Sequence, residues 1–286
     1  LMTAAMAFFA LSDACIKIAA RHLEIGQILL VSCFGSFLLF IPFLWRSGSR
    51  FFSADLLHPA VLTRTGGEII GSLAFVISLT LIPLATVTAI MQAQPLAVTL
   101  GAVLFLGESV GWRRWTAVVI GFAGVMIILQ PGGGAFDPNV FWMALAIVGL
   151  TARDLGTRVL PPHVTTAFVS AWATAGLSLL GFAVMTFQGG WQNAPALTWL
   201  TVAAISVSVA LAFVTITAAL RAGEVSAVAP FRYTRIIFGL LLAFLVFGEA
   251  FEARMWIGSV LIIGSGLYAF WREQRVHAAR AAGRAV

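Results

Sequence analysis

The side chains best suited to binding chemistry are two arginines and a tyrosine inside an apolar segment. The segment runs over residues 223–249, and Arg232, Tyr233 and Arg235 lie in its first half, after Pro230. A charge at membrane depth costs roughly 2.5–3.5 kcal/mol on insertion scales, so such residues usually face a protein interior or a water-filled cavity. Arg232 and Arg235 share one helix face, and Pro230 removes a backbone donor beside them. The pattern predicts the wall of a polar pathway.

The composition places these residues in a membrane protein. Hydrophobic residues make up 60% of the chain and charged residues 10%, and the mean hydropathy is +1.01. Residues 69–107 and 159–220 contain no Asp, Glu, Lys or Arg. Each block is long enough for two spans of about 20 residues. The net charge of +6 is spread over short loops and the C-terminal tail, which indicates membrane topology and predicts no nucleic-acid partner.

Hydropathy and turn residues predict ten membrane-spanning helices, which makes this an all-α polytopic membrane protein. An even number of spans places both termini on one side. Most arginines in loops then fall on the side of the termini, so the positive-inside rule predicts that both termini are cytoplasmic. The predicted spans are 1–20, 25–45, 65–82, 84–106, 113–130, 139–158, 165–187, 197–220, 224–247 and 255–271.

The two halves of the sequence are related by a shift of 141 residues. Rare residue types in register at several places indicate an internal duplication, with halves at 1–130 and 139–271 and a basic tail at 272–286. Because each half has an odd number of spans, the halves have opposite orientations, and inverted repeats of this kind place a substrate site near the membrane midplane. The shift aligns Asp13 with Asp154, Lys17 with Arg158, His22 with His163, Gly35 with Gly176, Gly107-Glu108 with Gly248-Glu249, Arg113 with Arg254 and Trp115 with Trp256.

The duplication also predicts a second polar interruption, in span four. The arginine and tyrosine group of span nine falls on Met91, Gln92 and Gln94, next to Pro95. Polar residues and helix breaks at matching depth in both halves are the best indication of a transport site that a sequence offers. Trp172 lies inside span seven, where it either forms an aromatic wall of the cavity or is packed bulk. The candidate substrate-binding residues are Arg232, Tyr233, Gln92, Gln94, Trp172 and Arg235.

Two pairs of opposite charge at i and i+4 are the candidate gates. Asp13 with Lys17, and Asp154 with Arg158, can neutralise each other on one helix face. They are interpreted either as gating or proton-relay groups at opposite ends of the pathway or as structural pairs that fix topology. For Arg235 we expect a structural partner, either an internal acid such as Asp13 or unwound backbone carbonyls.

A third pair, Arg64 with Glu68, is predicted to be a salt bridge at the membrane interface. No motif of a hydrolase, metalloprotease or phosphate loop is present, so we expect no enzyme activity, no metal and no cofactor. A channel and a lipid-modifying intramembrane enzyme remain as rival hypotheses. The sequence has no repeated selectivity filter, and the candidate acids and bases are predicted at opposite membrane faces.

Each half ends in an apolar helix, a Gly-Glu pair, a short basic turn and a final helix rich in small residues. The two stretches are GESVGWRRWTAVVIGFAGVMIIL and GEAFEARMWIGSVLIIGSGLYAF. They resemble the EamA repeats of the drug/metabolite transporter superfamily, and the resemblance covers nearly the whole chain. It implies two inverted five-helix repeats around a central cavity.

The resemblance also implies a function. Such proteins are secondary carriers of the bacterial inner membrane, and many export amino acids or other small metabolites by alternating access. An uptake or multidrug permease for another small solute is the alternative. The expected partners are a small-molecule substrate and the lipid bilayer, whereas the oligomeric state stays open, with a monomer plausible.

Overall fold

The structure is a computed structural model that describes residues 1–46, 51–107, 112–130, 137–222 and 229–281. Glu108, the start of the apolar segment at 223–228 and the last five residues of the basic tail therefore lie outside the described residues.

The described residues form eleven α-helices, so the all-α prediction is confirmed. Two 3-10 helices, Ala54–Leu57 and Ala229–Tyr233, occur between them. The α-helices are α1 (Met2–Ala19), α2 (Ile25–Arg46), α3 (Pro59–Leu81), α4 (Leu84–Met91), α5 (Gln94–Leu106), α6 (Trp112–Leu129), α7 (Val140–Arg158), α8 (Thr166–Phe187), α9 (Ala196–Ala222), α10 (Thr234–Phe247) and α11 (Ala253–Ala281).

Local sequence explains where several helices begin and end. Thr165 caps α8, because its side chain accepts a hydrogen bond from the backbone N–H of Phe168 at 3.3 Å. The α3 helix starts at Pro59, whose missing N–H is harmless in the first turn. Gly107 and Gly248 end α5 and α10 with φ of 66° and 62°, a left-handed conformation that glycine adopts without steric cost.

Eight segments of the described chain are long and apolar enough to cross a membrane. One of them, Leu84–Leu106, is predicted span four and comprises α4 and α5 on either side of a break. A shorter apolar helix, Trp115–Leu129, belongs to predicted span five. Predicted span nine is represented by the 3-10 helix Ala229–Tyr233 and the 14-residue α10. The protein is therefore a multi-pass membrane protein.

The structure repeats with the same period as the sequence. Shifting α2 by 141 residues gives the bounds of α8, and the same shift carries the left-handed Gly107 onto the left-handed Gly248. The helix contacts exchange between the halves, since α3 packs on α7 and α1 packs on α9. The α2 helix packs on its own equivalent, α8, and α6 on its equivalent, α11. The two halves are thus intertwined, as a two-fold relation between them requires.

Contacts between turns define the two ends of the helix bundle. At one end, called here the Lys17 end, Lys17 contacts Glu249, and Gln188 contacts the first turn of α2. At the opposite end, called the His163 end, His163 lies 3.0 Å from Asp55. Connections alternate between these ends, so polar residues in the middle of the helices lie between the two sets of turns.

Candidate functional site

The break in span four places a polar side chain against α7. The α4 helix ends at Met91 and α5 begins at Gln94, with the backbone of the two intervening residues held by tight turn hydrogen bonds. Gln94 Nε2 donates to Asp154 Oδ2 at 3.0 Å. The sequence prediction of an interrupted span four is confirmed. At this interruption, Gln94 contacts a carboxylate that belongs to the other half of the chain.

A buried ion network joins α3 and α7 beside this hydrogen bond. Arg153 contacts Asp154 at 2.9 Å and Glu68 at 3.2 Å, and Arg64 lies 3.7 Å from Glu68. Ser72 donates to Glu68 at 3.3 Å. Arg64 and Glu68 are only 4% and 7% exposed, so the predicted pair forms and is buried inside the protein. The pair is buried because α7 and α8 cover that face of α3.

Sequence reasoning missed Arg153. For Asp154, whose expected partner was Arg158, the structure shows contacts with Arg153 at 2.9 Å and with Gln94 at 3.0 Å. Arg158 lies at the exposed end of α7. Arg153 could have been recognised as a second charge well inside a predicted span.

The second predicted pair is replaced by contacts between helices. Asp13 binds Arg235 of α10, with Oδ2 and Nη2 separated by 2.7 Å, whereas Lys17 binds Glu249 at 3.3 Å. The Asp13–Lys17 pairing is therefore wrong, and the expectation that Arg235 pairs with Asp13 is confirmed. The Arg235 guanidinium also lies over the ring of Phe9, 5.2 Å from its centre, a cation–π geometry.

The two carboxylates occupy equivalent sites in the two halves. The 141-residue shift carries Asp13 onto Asp154 and Gln94 onto Arg235. Each half therefore contributes one carboxylate that accepts a hydrogen bond from the interrupted helix of the other half. In one case the donor is cationic, and in the other it is a neutral amide. Arg153 supplies the missing positive charge at Asp154.

Arg232 adds a positive charge to this region. It lies in the 3-10 helix that precedes α10, is half-buried, and interacts electrostatically with Asp154, Arg153 and Arg235. In the network of α3 and α7, two arginines balance two carboxylates, and Arg235 balances Asp13. Within the described part of the chain, Arg232 is not one of the residues in a salt bridge. Counted over the described residues, the cluster thus carries about one uncompensated positive charge.

Two other candidates lie near the cluster but face other groups. Tyr233 is directed at α11, where a Cβ added to Gly266 would overlap the tyrosine hydroxyl. Gln92 is buried, and its Nε2 lies 3.5 Å from the carbonyl oxygen of Thr88 one turn earlier in α4. Tyr233 therefore depends on Gly266 of α11 for its space, and Gln92 is held within its own helix.

Trp172 lies away from this cluster. Its ring stacks on Phe51 with centroids 4.3 Å apart, and its Nε1 donates to the Phe51 carbonyl oxygen at 2.6 Å. Phe52 packs edge-on against the same ring. These contacts place Trp172 at the His163 end of the bundle, beside the connection between α2 and α3. Of the two interpretations of Trp172, they match packed bulk.

The cluster presents charged groups of both signs to its surroundings. Arg232 presents a guanidinium fork suited to a carboxylate or phosphate. Asp154 and Gln94 lie in the same cluster and can accept hydrogen bonds from a cationic or neutral donor. A buried cluster of charges within helices that cross a membrane is typical of a substrate path in a transport protein.

Comparison with known proteins identifies the family. Both halves match the EamA-like transporter family, over residues 1–130 and 138–271. This chain belongs to that family of transporters. A solved crystal structure has the same fold, with a TM-score of 0.64 and 19% sequence identity, covering 96% of this chain and 97% of that chain.

Similar proteins carry transporter names. The riboflavin transporter of Rhizobium johnstonii is 32% identical, covering 84% of this chain and 79% of the relative. The S-adenosylmethionine uptake transporter of Rickettsia felis is 25% identical, covering 92% of this chain and 89% of the relative. The riboflavin transporter of Vibrio cholerae is 30% identical, covering 61% of this chain and 58% of that protein.

Proposed function

We propose that this protein is a secondary carrier that moves a small, amino-acid-like metabolite across the membrane by alternating access. The observation that carries the proposal is Arg232, a half-buried cation beside a charge-balanced network. A carboxylate on the substrate would neutralise the remaining charge. Asp154, which already accepts from Gln94, would receive the substrate's ammonium group or another donor.

A relative named for uptake supports import over the export expected from the family resemblance. The Rickettsia felis protein is named for uptake of S-adenosylmethionine, a compound that contains an amino-acid group with a carboxylate and an ammonium. The same pair of groups fits the signs of Arg232 and Asp154. Amino acids and amino-acid conjugates therefore remain the substrate class, and uptake is the direction to be tested first.

A flavin is the second candidate substrate, because three relatives are named riboflavin transporters. A flavin has a flat ring system and no carboxylate, so it would use the cluster by hydrogen bonding instead of charge neutralisation. The two candidates predict different roles for Arg232. A carboxylate-bearing substrate depends strongly on its charge, whereas a neutral flavin depends on it weakly.

The test is counterflow in proteoliposomes with labelled amino acids, S-adenosylmethionine and riboflavin. Arg232→Gln should raise the apparent Km about tenfold to a hundredfold for a carboxylate substrate, since a hydrogen bond to a charged group contributes about 1.5–3 kcal/mol. Arg232→Lys should have a smaller effect, because it keeps the charge and loses the fork. Arg254→Gln is the matched control, because Arg254 binds Glu252 and Gln130 at the Lys17 end.

The proposal fails if Arg232→Gln leaves the apparent Km unchanged while lowering the melting temperature as much as Arg235→Gln does. Arg232 would then be a structural residue. Accelerated counterflow of riboflavin alone, insensitive to Arg232→Gln, would select the flavin candidate.

We also propose that the protein resides in the bacterial inner membrane with both termini in the cytoplasm. Arginines in loops on the side of the termini support this orientation. A thiol engineered at Ala279 should react with an impermeant reagent only after the membrane is opened, whereas one at Gly190 should react in intact cells. Labelling of Ala279→Cys in intact cells would mean that the C-terminus lies outside the cytoplasm.

A further inference from the structure

Glu249 caps a helix that belongs to the other half of the chain. Its two carboxylate oxygens accept hydrogen bonds from the backbone N–H groups of Leu84 and Ala85, each at 2.8 Å. These are the first residues of α4, whose N-cap Pro83 makes no side-chain hydrogen bond. Amides in the first turn have no acceptor within their own helix, and the positive end of the helix dipole favours a carboxylate there.

Lys17 of α1 contacts the same carboxylate of Glu249. Its Nζ lies 3.3 Å from Glu249 Oε1 and donates to the carbonyl oxygen of Ile82 at 2.8 Å. Ile82 ends α3, so α1, the turn between α3 and α4, and the turn after α10 meet at one point. The ammonium also lies 5.5 Å from the centre of the Phe247 ring. We call these contacts among Lys17, Ile82, Leu84, Ala85 and Glu249 the Lys17 latch.

The latch borders a cavity at the Lys17 end. A cavity of about 230 Å³ at the Lys17 end is lined by Pro83, Ala85, Thr86 and Glu249 among other residues. One turn below Lys17 in α1, Asp13 binds Arg235 of α10. Two of the helices that meet at the latch, α1 and α10, therefore also carry Asp13 and Arg235.

The latch depends on polar contacts that can be exchanged. Lys17 and Glu249 retain 19% and 14% side-chain exposure, so neither group is fully buried. A salt bridge at this depth is easier to open than a fully buried pair, because its ions recover hydration when they separate. Rearranging a latch of this kind separates the start of α4 from α10 without unfolding either helix.

We propose that the Lys17 latch is the closed gate at this end of the substrate path, with Glu249 as its switch residue. Glu249 holds α4 against the α10 turn while the gate is closed, and its release opens the route from the cavity to the charged cluster. The inference rests on the protein being a carrier and requires no particular substrate.

The first test measures hydrogen exchange of the amides of Leu84 and Ala85 in the purified protein. Glu249→Gln keeps the size of the side chain and removes its charge, so the exchange of these amides should rise about tenfold, the ratio that corresponds to losing 1.4 kcal/mol of protection. Glu252→Gln is the matched control, since Glu252 lies three residues on and pairs with Arg254 at the surface. Unchanged exchange in Glu249→Gln, or an equal rise in Glu252→Gln, would overturn the latch.

The second test measures access to the path beneath the latch. Thr88 is buried in α4, where it fills the space left by Gly239 of α10. A Thr88→Cys protein with alanine at Cys15 and Cys33 should react slowly with an impermeant maleimide, and Glu249→Gln should accelerate that reaction. Faster amide exchange without faster labelling would show that Glu249 is a helix cap only and would refute the gate. Neither measurement uses a substrate, so failure of the substrate proposal would leave both outcomes readable.

Discussion

The α3–α7 and α1–α9 interfaces are equivalent in the duplicated fold, yet their chemistry differs. At the first, the charged side chains of Arg64, Glu68 and Arg153 are linked into one network. At the second, the equivalent positions are apolar or small: Ile205, Val209 and Ser12.

The α3–α7 and α1–α9 interfaces also differ in the packing of their backbones. A Cβ added to Gly67 or to Gly149 would come within 2.6 Å of the backbone of the facing helix, so α3 and α7 touch along their main chains. The equivalent residues at the α1–α9 interface are Ser208 and Phe8. The duplication has therefore kept the helix arrangement, while one interface has become close-packed and charged. We expect α3 and α7 to move together during transport, and α1 to move more freely.

The largest loss of stability should come from removing the partners of the two equivalent carboxylates, Asp13 and Asp154. Arg235→Leu leaves the buried Asp13 without its cation and should cost about 3–5 kcal/mol of stability. Gln94→Leu removes one hydrogen bond from Asp154, which keeps Arg153, and should cost about 1–3 kcal/mol. Thermal unfolding in detergent measures both. Equal losses would mean that Arg153 does not compensate Asp154.

The next effect concerns the network itself. Arg153→Ser copies the residue found at the equivalent position of α1 and removes the cation shared by Asp154 and Glu68. We expect a loss of about 3 kcal/mol, at the lower end for a broken buried pair, because Arg64 remains near Glu68. The control, Ser12→Ala at the other interface, should change stability by less than about 1 kcal/mol. A loss in Ser12→Ala as large as in Arg153→Ser would erase the distinction between the interfaces.

The large-scale architecture could be predicted from the sequence, because apolar length and rare residues in register report directly on spans and duplication. The pairing of Arg235 with Asp13 was also among the expectations, because both residues are charged and lie within predicted spans. The partners of the charged side chains were harder to predict. Lys17 pairs with Glu249, which is distant in sequence, and helix periodicity describes only neighbours within one helix.

The remaining misses have a similar cause. Trp172 was placed among the cavity candidates by its depth in a span, but its position depends on a connecting segment, where Phe51 stacks on it. The Glu249 cap depends on how the turn after α10 meets the start of α4. Such contacts between turns have no periodic signal in a sequence.

A smaller effect tests the close approach of backbones. Gly149→Ala adds a Cβ that would lie 2.6 Å from Gly71 of α3, and separating two packed helices should cost about 1–3 kcal/mol. Gly264→Ala in α11 is the control, because nothing lies within 4 Å of its added Cβ and alanine favours a helix by up to about 1 kcal/mol. The melting temperatures should move in opposite directions. A tolerated Gly149→Ala would show that α3 and α7 can separate freely.

The smallest effect compares the polar ties at the two ends of the bundle. At the Lys17 end, Gln27 exchanges two hydrogen bonds with the Gln192 backbone, at 2.8 and 2.9 Å. At the His163 end, Asp55 accepts from Ser53 at 2.6 Å and lies 3.0 Å from His163. The Ser53 hydroxyl, followed by the His163 contact, lowers the pKa of Asp55.

The sign of the pH effect follows from that lowered pKa. The stabilisation by Asp55 is present above the unfolded pKa of about 3.9 and is lost as the pH falls through the lower folded value. Asp55→Asn should therefore lower the melting temperature slightly at neutral pH, and the difference from the parent should be lost at an acidic pH below the folded pKa of Asp55. Gln27→Leu should lower it by the same amount at both pH values, because an amide does not titrate. A penalty for Asp55→Asn that persists unchanged in acid would mean that the carboxylate charge contributes nothing at this end, and that the two ends are held alike.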